Sequence, residues 1–318
     1  MHEVTLQINL SQGDIPYARL TVPALVGAHR ANVDEKIAVV DCCRPQKTQI
    51  IDPDRRFPEP EFNIRVKQIC TIAEELKKEG YLDRIIYLWP DDPLLKTISR
   101  KFMRNIIKET HDCWGIALMQ YIVALESCAT RYIIHYDGDM LLYQASGYDW
   151  SVEAKRLMEK EPLAVAGSPR SSPPFGSEKE ELEALKKCEV PIAPTEGGWL
   201  VSWFGTRCIL LDLYKFNRYL PLLKGRYVIE VLTRKYLKRS YPPSFELLMF
   251  YRIGGCGGRR ITLGSRKAWT LHPPYKSDGF LKLLPRILQT VRRGDVPEAQ
   301  RGRENINLSD WKNFLQDS

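Results

Sequence analysis

Short apolar runs alternate with helically spaced apolar stripes through the first half of the chain. Val4–Leu10 (VTLQINL) reads as a buried first strand that stops at the polar Ser11-Gln12-Gly13-Asp14. Over 17–31, Leu20, Val22, Leu25, Val26 and Ala28 recur at the spacing of a helix. Residues 36–41 (KIAVVD) form a second apolar strand with Asp41 at its tip, and 84–89 (RIIYLW) a third, closed by Pro90-Asp91-Asp92-Pro93. Between them a proline- and charge-rich connection leads to a helical stripe of Ile64, Ile69, Ile72, Ala73 and Leu76 within 62–79. Helices are predicted over 94–108 and 114–128, and the latter runs into a fourth strand, RYIIHYDGDMLLY at 131–143. Strands alternating with helices imply βαβ units, hence an α/β fold with a mainly parallel sheet flanked by helices. Ligands of such sheets lie beyond the carboxyl ends of the strands, where Asp41, Asp91, Asp92, Asp137 and Asp139 are expected.

The fourth strand carries the candidate chemistry. Side chains two apart on an extended backbone point the same way, so Asp137 and Asp139 are expected to converge at its end, with Gly138 making a tight turn. Two adjacent carboxylates repel unless one takes a proton or a cation intervenes. An oxygen-rich site suits Mg²⁺ or Mn²⁺, which would hold a diphosphate by neutralising its charge. The plainer reading is an acidic turn facing solvent.

The second half is less regular. Helices are predicted near 150–160, 214–223, 227–239, 244–252 and 280–293, and strands near 163–167 and 260–263. The stretch 197–213 (GGWLVSWFGTRCILLDL) mixes aromatic residues with strand formers, and 168–176 (SPRSSPPFG) reads as a linker or a mobile flap. Residues 1–143 are expected to form a nucleotide-binding half and 144–279 an acceptor-side half of one domain. The last segment, 280–318, is a helix and a tail that re-packs through Trp311 and Phe314.

Composition narrows the partners. The 318 residues are 44% hydrophobic and 27% charged, as in a soluble globular protein with a substantial core. A net charge of +8 favours anionic partners. Its basic residues are dispersed, with small clusters at 234–239 (RKYLKR), 258–260 and 292–293, so no nucleic-acid stripe is expected. No run is long enough for a membrane span, and the start lacks a secretory pattern. The eight cysteines, Cys188 among them, show no disulfide framework or metal clip and are expected to be reduced. A cytoplasmic location follows, with peripheral contact at the inner face of a membrane left open.

The order of these motifs resembles the GT-A superfamily of nucleotide-sugar glycosyltransferases, nearest to glycosyltransferase family 2. The resemblance runs from VTLQINL and YARLTVPALVGAHR through IAVVD at Asp41 to the block from Gly115 to Asp139. It continues with Phe245-Glu246-Leu247, Arg252, Gly254 and Arg260, then Trp269-Thr270-Leu271-His272. It covers most of 4–275 and implies a Rossmann-related GT-A-like sheet and a sugar transfer from a nucleotide-diphosphate donor to a carbohydrate, lipid or small-molecule acceptor. Phe245-Glu246 departs from the family's aspartate-rich pair, and Ser11 and Gln12 from its fuller first-strand signature.

On the donor side, Ser11, Asp41, Asp137, Gly138 and Asp139 are the expected contacts. In the family's arrangement His272 completes the metal site with Asp137 and Asp139; a packing histidine is the alternative. Lys276, just beyond, is a candidate to touch diphosphate, or simply a surface lysine. Asp91 and Asp92 have similar claims, but a helix N-cap accounts for one of them. Glu246, following the capping Ser244, is expected to deprotonate the acceptor in an inverting transfer, with Glu196 as the second candidate. Trp199 and Trp203 are candidates to stack on a sugar, or simply core. A nucleotidyltransferase is the neighbouring alternative, disfavoured because SQGDIPYAR lacks the glycine-rich basic loop it needs. A non-catalytic nucleotide-binding protein is the third.

Overall fold

The computed structural model describes residues 3–186 and 192–316, so Cys188 and the last residue of the stretch 170–187, expected as a flexible loop leading to a charged helix, lie outside the described residues. The strands are β1 Val4–Leu10, β2 Glu35–Asp41, β3 Arg84–Leu88, β4 Tyr132–Asp137, β5 Leu141–Gln144 and β6 Ala164–Ser168, then β7 Ile192–Thr195, β8 Gly198–Val201, β9 Cys208–Asp212, β10 Arg259–Leu263 and β11 Ala268–Leu271. The helices are α1 Ala18–His29, α2 Pro53–Arg56, α3 Glu59–Lys78, α4 Pro93–Met103, α5 Met119–Ser127 and α6 Trp150–Lys160, followed by α7 Glu178–Lys186, α8 Leu213–Asn217, α9 Arg226–Leu237, α10 Phe245–Arg252, α11 Asp278–Arg293 and α12 Leu308–Gln316.

One sheet organises the molecule in the order β3-β2-β1-β4-β9-β6-β10-β8-β7. Strands β3, β2, β1 and β4 pair in parallel, as do β6 and β10, while β9 runs antiparallel between β4 and β6. The α/β, mainly parallel sheet flanked by helices is therefore the architecture the chain adopts. Alternation sends successive side chains to two cores. Leu6, Ile8, Leu10, Ala38, Val40, Ile134 and Tyr136 face α1, α3 and α6. Val39, Val165, Ile209 and Leu211 face α4, α5, α9 and α10. The second face of β1 is polar yet buried, carrying Thr5, Gln7 and Asn9. Gln7 donates to Asn9 Oδ1 at 2.5 Å and also meets His135, which β4 sets opposite it in register. A buried polar row thus runs along β1 and β4 toward Asp137.

Beside this sheet, β5 pairs antiparallel with β11 and packs with α11 and α12 around a third cluster. That cluster includes Tyr17, Leu141, Leu271 and the buried Trp311, with Phe314 against it. The boundary expected at 143 falls inside β5.

Three helices are shorter than expected, and the one predicted over 214–223 stops at Asn217. The one predicted over 94–108 ends at Met103, because Arg104 and Asn105 take left-handed φ angles of 54° and 60°. That over 114–128 begins only at Met119. Asp112 accepts hydrogen bonds from the Trp114 and Ile116 amides and Gly115 is left-handed, so a side-chain-directed turn replaces the first helical turn.

Candidate active site

A cleft of about 440 Å³ opens beyond the carboxyl ends of β1, β2 and β4. Ser11, Asp41, Asp137, Gly138, Asp139 and His272 all line it. The chain brings these together from four separate segments, because parallel strands end on the same side and β11 sits beside them.

Asp139 is the electrostatic centre. Its carboxylate is 8% exposed, and Lys276 donates to its Oδ2 at 2.5 Å. His272 Nε2 lies 3.5 Å from the same oxygen, while His272 Nδ1 is engaged by Asn305 Oδ1 at 2.9 Å. Burial alone would raise the Asp139 pKa; His272 and Lys276 outweigh it and hold the group at about 2. Its other oxygen, Oδ1, is buried and has no hydrogen-bond partner among the described residues. A second carboxylate that sequence reasoning passed over, Asp14, faces this corner. Burial, reinforced by the charge of Asp139, pushes it up to about 6. Asp14 folds back on its own loop, accepting from the Ser11 amide at 2.5 Å, the Ser11 hydroxyl at 2.9 Å and the Tyr17 hydroxyl. The polar groups of Ser11 are thus committed to Asp14 at the cleft wall.

Asp137 has different partners from Asp139. The Tyr121 hydroxyl donates to its Oδ1 at 2.7 Å, and His135 Nε2 lies 3.2 Å from that oxygen. Burial keeps Tyr121 protonated and so a permanent donor. Asp41 is also committed: His111 Nε2 lies 3.0 Å from its Oδ2, and the Cys43 amide donates to its Oδ1.

Gly138 stands in the expected tight turn, closed by the Met140 amide donating to the Asp137 carbonyl at 3.2 Å, with a φ that is not left-handed. An added Cβ would stand 2.8 Å from the Asn9 carbonyl oxygen and 2.9 Å from Leu10. The glycine lets the turn between the two aspartates press against the end of β1. Gly138→Ala is expected to destabilise the fold by about 1–3 kcal/mol through overpacking against backbone. Chemical denaturation at neutral pH measures this directly.

A second cavity of about 360 Å³ holds Glu246, Trp203, Arg260 and Glu304, and Arg207 lines both it and the first cleft. Glu246 accepts from the Thr206 amide at 3.1 Å and the Thr206 hydroxyl at 3.3 Å. Burial raises its pKa above that of an ordinary glutamate, with the Asp137 charge adding to the rise. Arg207 pairs with Glu304 at 2.8 Å.

Other candidates lie elsewhere. Glu196 is exposed and ion-paired with Lys160 and Arg156 on α6, so it is not brought to either cavity. Asp92 caps α4 by accepting from the Leu94 amide at 2.8 Å, and Asp91 is exposed. Trp199 lies under the Arg170 guanidinium, whereas Trp203 packs on Phe250 at the second cavity. The segment 168–176 is tied down: Arg170 bridges to β11 and pairs with Glu181, and Pro173 accepts from the Gly302 amide.

A divalent ion is what the family resemblance implies. Among the described residues no three His, Cys, Asp or Glu side chains converge as a ready donor set. The orphaned Asp139 Oδ1 and the Asn305-oriented His272 nonetheless fit an oxygen- and nitrogen-donating corner whose remaining positions substrate would fill.

No family model matches the chain, and no curated protein does. Among solved structures it is similar to the galactosyltransferase LgtC in complex with donor and acceptor sugar analogues. That match has 11% identity and a TM-score of 0.35, over 80% of this chain and 72% of that one. It is similar to TarS of S. aureus at 9% identity and a TM-score of 0.40, over 93% of this chain but only 41% of that one. The inositol-1-phosphate CTP transferase of T. maritima matches at 8% identity and a TM-score of 0.41, over 93% of this chain and 99% of that one. At these identities and TM-scores none of the three likenesses assigns a family or an activity to this chain.

Proposed function

We propose that the protein is a glycosyltransferase that moves a sugar from a nucleotide-diphosphate donor to an acceptor hydroxyl with inversion. One observation carries the reading: an anion-holding corner and a half-buried basic carboxylate stand in two cavities that share Arg207 as a wall. The donor diphosphate would lie at Asp139, where Lys276 is already poised to donate to phosphate oxygen. The acceptor would enter the second cavity, with Trp203 as an apolar wall. Glu246 takes the acceptor proton, the freed oxygen attacks the anomeric carbon, and the bond to diphosphate oxygen breaks. Its electrons remain on the diphosphate, where the Lys276 and Arg207 cations stabilise the charge. Mg²⁺ or Mn²⁺, when held by Asp139 and His272, would add Lewis-acid stabilisation of the same oxygens, with Asp137 within the same cleft.

The nucleotidyltransferase reading is weakened by the loop after β1. A triphosphate there needs free amides and cations, whereas Asp14 consumes the Ser11 amide and Arg19 pairs away with Glu75. The experiment is turnover of UDP- and GDP-sugars with and without Mn²⁺, followed by locating bound UDP or GDP. Release of nucleoside diphosphate is expected, with nucleotide in the cleft containing Asp139. Release of pyrophosphate from a nucleoside triphosphate, or nucleotide bound elsewhere, would overturn the proposal.

A further inference from the structure

Helix α9 presents an apolar face that none of the described residues covers. Its inward side is anchored by Tyr227 and Val231, and Tyr227 stacks on Tyr251 of α10 with ring centroids 4.2 Å apart. On the opposite side Ile229 is 67% exposed, Leu232 45%, Tyr236 87% and Leu237 51%. Ile229, Leu232 and Tyr236 fall three and four apart, so they form one stripe along a helix of 12 residues. A lone exposed leucine would need no explanation, but a contiguous stripe does.

Charge says what would cover it. Lys224, Arg226, Lys238 and Arg239 are exposed around the two ends of the helix, and none is ion-paired among the described residues. The one acid of the helix, Glu230, is already neutralised by Arg234 at 2.6 Å. Lys238 and Ser240 have left-handed φ angles of 54° and 48°, a conformation in which glycine is the ordinary choice. A cation is therefore kept at the helix end at a conformational cost. Apolar residues with an aromatic on one face and a surplus of cations at the rim match the chemistry of a bilayer interface carrying negative headgroups. Among the described residues no helix is long and apolar enough to cross a membrane, so contact of this kind would lie along the surface.

We propose that the outward face of α9 docks the protein on an anionic lipid surface, Ile229, Leu232 and Tyr236 entering the interface while Lys224, Arg226, Lys238 and Arg239 engage the headgroups. The inference stands on α9 alone and does not depend on the reaction proposed above.

The test is flotation of the full chain with phosphatidylcholine vesicles, with and without a large share of phosphatidylglycerol. Binding is expected only with the anionic lipid and is expected to fall as salt is raised. The pairs Lys238→Glu with Arg239→Glu, and Ile229→Ser with Tyr236→Ser, should each lower the bound fraction about tenfold or more. Thermal unfolding should be unchanged in both, since these side chains are exposed. Equal binding to neutral vesicles, no binding to either, or binding that both pairs leave intact would overturn the proposal. So would self-association or polynucleotide binding through this face in place of vesicle binding.

Discussion

Asp139→Asn is expected to lower sugar transfer by roughly 10²- to 10³-fold or more, the loss seen when one preorganised electrostatic contact is removed from a reacting centre. The substitution keeps the side chain's shape but removes the charge on which Lys276 rests and toward which His272 is aimed. It also removes the carboxylate that His272 and Lys276 hold most firmly in its charged form, whereas burial pushes its neighbour Asp14 up to about 6. Lys276 is left without its partner, and because its side chain is only partly buried the stability cost should stay modest. Initial rates of nucleoside diphosphate release, read beside a thermal melt, separate the two effects. A variant that melts like the parent yet keeps activity within a few-fold would remove Asp139 from the reaction. Asp137→Asn should cost less, because Asp137 is held by Tyr121 and His135 and makes no contact with Lys276.

Glu246→Gln should reduce transfer by about 10²- to 10⁴-fold while leaving donor binding near its original strength, as expected for loss of a general base. The amide retains an oxygen that accepts from Thr206, so the local fold should survive. The pH profile provides a second reading. Burial raises the Glu246 pKa, so the working carboxylate form is lost as pH falls through a value above the ordinary glutamate range. In the parent the acid limb of kcat should therefore sit higher than a solvent-exposed glutamate would place it. In the glutamine variant that limb should vanish. If the limb persists unchanged, another group takes the acceptor proton.

Much of the donor side was legible because it obeys local rules. Four apolar runs, each ending in a polar or acidic residue, mark the parallel strands, and the acids at their ends follow from the direction of those strands. Asp137, Asp139 and Asp41 were accessible to that logic; their partners were not. Lys276 reaches Asp139 across 137 positions of sequence, and His111 reaches Asp41 from the stretch between two predicted helices, where no pattern marks it. Asp14 was hidden by its setting: an acid after Gly13 in a loop reads as solvated, and only tertiary burial makes it weak. Arg207 was missed for a topological reason. Strand β9 runs against its neighbours, so its beginning rather than its end lies at the cleft. Glu196 shows the converse error, since a glycine pair beside an acid describes a hairpin turn as well as a substrate approach.

The reversed strand has a consequence for how the two cavities can change independently. The donor-side groups hang from the ends of β1, β2 and β4, whereas Thr206 and Arg207 belong to the short 202–207 segment that enters β9. On the proposed reading, exchanging 202–206 while keeping Arg207, which faces both cavities, would reshape what the second cavity admits and leave the diphosphate contacts in place, so acceptor preference is separable from donor preference by grafting a handful of residues.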